Sequence, residues 1–124
     1  MPQLDFAKGK GLLPVIVQDY RSREVLMMAY MNRDAWRKTQ RTGRAHYFSR
    51  SRDRLWLKGE SSGHFQEVKG AYMDCDGDTL LLLVRQLGGA CHLGYRSCFF
   101  RKKAKSRWQV VGRKLFKPDE VYKK

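Results

Sequence analysis

Asp74, Asp76 and Asp78 stand at alternate positions in the stretch MDCDGDTL, with Cys75 among them. In an extended chain alternate side chains fall on one face, so the three carboxylates would crowd together and Cys75 would face the other way. Three like charges at that spacing repel unless a cation lies among them. Hard carboxylate oxygens suit Mg2+ or Ca2+. The stretch begins like an EF-hand loop, but the sixth position needs Gly and is Thr79, and the twelfth needs Glu and is Arg85. Spacing alone leaves an exposed acidic turn as the competing reading.

The chain has three cysteines: Cys75, Cys91 and Cys98. Structural zinc sites have four ligands, often in paired C-x2-C units, and no such pair occurs here. Three protein ligands with one open position is the pattern of catalytic zinc. His92, next to Cys91, offers either a fourth ligand or a base acting on bound water. Three small buried thiols fit the spacing equally well. An apolar strand over residues 79–87 would span about 30 Å, setting Cys75 and Cys91 at opposite ends of it. A shared site then needs a folded-back loop or a second subunit, which favours a dimer with zinc held between chains.

KGESSGH is a Gly/Ser loop beside a lysine. Its backbone N–H groups, Ser61, Ser62 and Lys58 could cradle a phosphate, and Arg50 and Arg52 add guanidinium forks. An ordinary solvated hairpin would look the same. His64, at the end of the loop, could reach a ligand there, whereas His46 reads as a structural strand residue.

The elements that must position these groups follow from pattern. Val15–Val17 and Val25–Met31 are apolar runs around a polar turn, which predicts a hairpin. Asn32 is a helix cap, Asp34 suits the first turn, and Gly43 suits the left-handed terminus, so a helix is expected over Arg33–Thr42 with Trp36 on its core side. Strands are expected over residues 45–50, 54–58 and 65–73, with a central one over 79–87. Residues 59–64 and the cysteine segment read as loops, and WQVVGRKL as a short terminal strand. The chain is β-rich with one clear helix.

Composition bounds the partners. The 124 residues suit one domain with a modest core. No apolar run approaches the ~20 residues that span a bilayer, and no apolar signal core is seen near residue 1, so a cytoplasmic protein without a membrane partner is expected. The net charge of +14 fits a nucleic acid, an acidic surface or a substrate with several phosphates. From Arg101 onward there are ten Lys/Arg against two acids, which also fits a merely solubilising tail.

Taken together and in order, LLPVIVQD, EVLMMAYMN, TGRAHYFSRSRDRLWLKGESSGH, DCDGDTLLLLV and GGACHLGYRSCF make the chain resemble the phosphoribosyl-AMP cyclohydrolase family of histidine biosynthesis. The resemblance covers about residues 11–101. It implies an α+β, β-rich, barrel-like mixed-sheet domain that forms an intertwined homodimer. Residues 1–101 would be the cyclohydrolase-like domain, and residues 102–124 a basic extension packed on it or trailing from it. It implies hydrolysis of the N1–C6 bond of the adenine ring in phosphoribosyl-AMP. Mg2+ would lie at Asp74, Asp76 and Asp78, and Zn2+ at Cys75 of one subunit with Cys91 and Cys98 of the other. Leu93 stands where the family has threonine, so no hydroxyl role is expected there.

Under that reading Arg50, Arg52, Lys58, Ser61, Ser62 and His64 would bind the phosphorylated substrate. His92 would carry a proton, since an imidazole exchanges protons near neutrality. The alternative is a basic nucleic-acid-binding module with a structural zinc, which predicts strongly salt-dependent binding. It does not explain the acidic triad, so nucleic acid is not the expected partner. A zinc deaminase is a further alternative, but its H-x-E and P-C-x-x-C signature is absent.

Overall fold

The computed structural model describes residues 3–122. Strands β1 (Leu13–Asp19) and β2 (Val25–Met31) form the expected hairpin, with Leu13 paired to Met31 and Val17 to Met27. Helix α1 (Arg33–Thr42) has the bounds its caps dictate. The Asn32 side chain accepts from the Ala35 N–H at 2.8 Å. Gly43 closes the helix at φ 75°, a conformation that glycine adopts without steric cost. Ala35 and Thr39 are buried, and Trp36 is half-buried against the core.

Strands β3 (His46–Ser49) and β4 (Arg54–Leu57) form a second hairpin packed on α1 and β2. Strand β5 (Gln66–Met73) pairs antiparallel with β6 (Leu80–Gln86), and β6 pairs parallel with β1. The main sheet therefore has the order β2-β1-β6-β5, with β6 in the interior as its apolar sequence requires. A third hairpin joins β7 (Arg101–Lys103) and β8 (Trp108–Val110), and a short helix α2 (Pro118–Val121) follows.

The expected barrel-like closure is not found. The four-stranded sheet stays open, with β2 and β5 at its edges, while β3–β4 and β7–β8 are separate two-stranded sheets. The physical reason lies at Asn32. There the chain leaves the sheet to form α1, which packs against both β2 and β3, so the second hairpin does not continue the first sheet.

One face of the sheet makes the core. Val15 and Val17 of β1, Leu82 and Val84 of β6, Leu26 and Met31 of β2, and Tyr47 of β3 are buried together. Tyr47 donates its hydroxyl to Gln66 Oε1 at 2.5 Å, and Gln66 Nε2 donates to Gln86 Oε1 at 2.8 Å. Burial pushes the Tyr47 hydroxyl far above its usual pKa, so it stays a neutral donor. These polar side chains tie β3 to β5 and β6 through the interior.

The other face carries an apolar row across all four strands. Met28 pairs with Ile16, Ile16 with Leu81, and Leu81 with Tyr72. Paired residues project to the same side of a sheet. Met28, Ile16 and Tyr72 are exposed at 44%, 40% and 58%.

Candidate active site

The three acids meet, but not by the extended geometry expected from their spacing. Residues 74–79 form a turn rather than a strand. The Gly77 N–H donates to the Asp74 carbonyl at 3.1 Å, and the Asp78 N–H to Asp74 Oδ1 at 3.1 Å. Gly77 adopts φ 71°, which lets the chain double back. One ligand oxygen from each of Asp74, Asp76 and Asp78 then lies within 4.8 Å of the others. Slight desolvation works to raise the Asp74 carboxyl, but hydrogen bonds from Asp78 and Asp76 outweigh it and hold the group below its usual range. Lys8 Nζ lies 3.0 Å from Asp78 Oδ2, so positive charge already gathers at the cluster. A set of carboxylate oxygens this close fits a hard divalent cation.

Cys91 and Cys98 come together at the other end of β6. Their thiols are near enough to each other and to the Lys58 ammonium for the charges to interact. Partial desolvation pushes the Cys98 thiol up to about 11, the neighbouring Cys91 adds to this, and Lys58 opposes it. Desolvation also lowers the Lys58 pKa, although both thiols work to raise it. Lys58 Nζ donates to the Ala90 carbonyl at 2.6 Å, which fixes the residue before Cys91. All three cysteines are free thiols, and two soft sulfur donors side by side fit zinc. Cys75 is not with them. It belongs to the turn before β6, whereas Cys91 and Cys98 follow β6, so one chain brings only two of the three thiols together.

The cysteine loop is pinned to the first hairpin. Cys98 N–H donates to the Leu26 carbonyl and Ser97 Oγ to the Val25 carbonyl, both at 2.7 Å. Arg96 reaches Asp19 Oδ1 at 2.7 Å and Glu24 Oε1 at 3.0 Å. Burial works to raise the Asp19 carboxyl, but the N–H groups of Ser22 and Arg21, with Arg96 beside them, hold it below 3.8. A carboxyl lowered by folding stabilises the protein above its unfolded pKa, and this contribution disappears as pH falls through the folded value. Arg96→Ala is therefore expected to lose about 1–2 kcal/mol at neutral pH. The difference from wild type should shrink below pH 3.8, as urea unfolding midpoints at the two pH values would show. A deficit that stays constant across that range would contradict the pairing.

Beside the thiols lies a cleft of about 1110 Å³. It brings together the predicted Arg50, Arg52, Lys58, Ser61, Ser62 and His92. Arg50 is placed by stacking over Tyr30 at 4.1 Å. The 58–64 loop turns through Gly59 at φ 92°, where a Cβ would stand 2.7 Å from the His64 carbonyl carbon, so only glycine fits. His64 is not in the cleft lining. Its Nδ1 is buried without a hydrogen-bond partner, and its ring packs edge-on against Phe116 at 4.7 Å. The sequence reading missed Trp56, which alternation on β4 could have suggested. It also missed Pro118, Asp119 and Tyr122, for which no local signal exists.

A sequence model of the phosphoribosyl-AMP cyclohydrolase family matches residues 27–100. Curated relatives extend the likeness over nearly the whole chain. The phosphoribosyl-AMP cyclohydrolase of Methanosarcina acetivorans is 60% identical over 123 residues, covering 98% of this chain and all of the relative. That of Methanosarcina barkeri is 59% identical over 98% of this chain and 95% of the relative. That of Methanocella arvoryzae is 63% identical over 91% of this chain and 92% of the relative. The ordered motifs, the paired thiols beside a cationic cleft and the full-length identity agree: the chain belongs to the phosphoribosyl-AMP cyclohydrolase family.

Proposed function

We propose that this enzyme opens the adenine ring of phosphoribosyl-AMP by hydrolysing its N1–C6 bond, using zinc held by cysteines and Mg2+ held by the acidic turn. The observation that carries this reading is a cleft lined by Arg50, Arg52, Lys58, Ser61, Ser62 and His92, in which Lys58 bonds to Ala90 and His92 follows Cys91, so that the cysteine loop borders it. Two phosphates on the substrate account for that many donors. When bound, zinc would acidify a water, lowering its pKa to about 7.

The chain's own residues do the rest. Arg50 and Arg52 bind phosphate, with the loop hydroxyls of Ser61 and Ser62 beside them. Lys58 fixes the backbone of the cysteine loop through Ala90. His92, exposed on the cleft wall, carries the proton that nitrogen 1 takes up as the ring opens. For His92→Ala we expect turnover lower by about 10²-fold and an altered pH profile. Full turnover with the wild-type profile would remove that role.

The site is completed by a second copy of the chain. The separation of Cys75 from the other thiols by β6 supports this, as does the apolar row Met28–Ile16–Leu81–Tyr72. Two copies packed on that row about a two-fold axis across the strands would run antiparallel. The turn before β6 in one copy would then approach the cysteine loop after β6 in the other. Among the described residues no helix is long and apolar enough to cross a membrane. A cytoplasmic enzyme of histidine biosynthesis fits the whole reading.

The test is incubation with phosphoribosyl-AMP, following ultraviolet absorbance as the ring opens. Turnover lost on chelation and restored by zinc is expected. Absence of metal-dependent turnover would overturn the reading.

A further inference from the structure

The segment after β8 returns to the cleft as a strap. Leu115 N–H donates to the Gly94 carbonyl at 2.7 Å, and Lys114 forms an isolated antiparallel bridge with Tyr95. Phe116 anchors it. Its ring lies edge-on to His64, and a Cβ on Gly89 would stand 3.0 Å from it, so the slot is shaped by glycine. Tyr122 packs back toward Phe116 with ring centroids 6.2 Å apart. The strap thereby places Pro118, Asp119 and Tyr122 in the cleft lining with Arg50, Arg52 and Lys58.

Asp119 is out of character with that lining. The other acid there, Glu60, is answered by Arg54 at 3.1 Å. Among the described residues Asp119 has no ion-pair partner. A carboxylate in a phosphate-binding cleft repels phosphate unless it faces another part of the ligand. A nucleotide's ribose offers paired hydroxyl donors, and a carboxylate is the acceptor that dinucleotide-binding folds use for them.

We infer that Asp119, carried in by the C-terminal strap, accepts hydrogen bonds from the ribose hydroxyls of the bound nucleotide and so sets which end of it meets the arginines. The inference rests on the cyclohydrolase reading only for the identity of that nucleotide. The strap is then part of the substrate site, and Asp119 discriminates ribonucleotides from their deoxy analogues.

The test is calorimetric titration of the full-length protein with AMP and with 2′,3′-dideoxy-AMP. Wild type is expected to bind AMP about 10-fold more tightly or better, the size of a charge-assisted hydrogen bond. In Asp119→Ala the two ligands should bind within about 2-fold of each other. The side chain is exposed, so the melting temperature should not move. A preference that survives in Asp119→Ala, or no preference in wild type, overturns the assignment. Turnover of phosphoribosyl-AMP on the same preparations is read separately. Turnover without hydroxyl preference sinks the Asp119 assignment alone, and hydroxyl preference without turnover sinks only the cyclohydrolase reading.

Discussion

Cys91→Ala is expected to lower turnover of phosphoribosyl-AMP by more than about 100-fold and to leave less than half the wild-type zinc bound per chain. Substitutions that only touch a metal ligand from outside already cost about 10–100-fold, so losing one of the proposed sulfurs sets a larger drop. The loop itself should persist. Its backbone is held by Cys91 N–H to the Tyr95 carbonyl and by Gly94 N–H to the Cys91 carbonyl, each at 3.1 Å, and neither bond involves the thiol. Ala90 stays tied to Lys58 Nζ. A thermal midpoint close to wild type, with the metal content fallen, would separate loss of the site from loss of the fold. Full turnover in this variant would sink the thiol assignment.

Mixing two inactive variants should restore activity. Cys75→Ala lacks only the sulfur from the turn before β6, and Cys91→Ala lacks one from the loop after it. On the proposed dimer, a chain of each kind forms one site from the intact Cys75 of one and the intact Cys91 and Cys98 of the other, and one site with both defects. Random reassortment makes about half the dimers mixed, with half their sites whole, so about a quarter of wild-type turnover should return. The measurement is turnover after co-refolding equal amounts of the two variants. Each variant refolded alone is the control. If each site were assembled within one chain, the mixture would stay as inactive as its parts.

Local chemistry was legible in the sequence, and long-range closure was not. Helix α1 could be read to the residue because Asn32 and Gly43 act on their own neighbours. The hairpin of β1 and β2 and the interior strand β6 followed from apolar runs long enough to leave little choice. The aspartates were read as a cluster for a partly wrong reason. Alternation placed them on one face of a strand, while Gly77 at positive φ gathers them in a turn. The open sheet was missed because whether β2 and β5 find further partners depends on how whole elements pack. His64 looked available from its Gly/Ser neighbours, but Phe116, some fifty positions later, covers it. The strap was illegible for the same reason. Nothing in LFKPDEVY states that Leu115 will bond to Gly94.

The parallel junction of β1 and β6 has a kinetic consequence. Val15 pairs with Leu80 across about half the chain, so this contact closes a very long loop. Such a closure costs entropy before it returns any stabilisation, and pairings of this kind form slowly. The hairpins β1–β2, β3–β4 and β5–β6 and the helix α1 are all local and can form before it. The cysteine loop, by contrast, is pinned to the first hairpin only across this join, through Cys98 to Leu26 and Arg96 to Asp19. The thiols therefore gain their final neighbours late in folding, and a nascent chain spends its early life with Cys91 and Cys98 apart from the hairpin that will hold their loop.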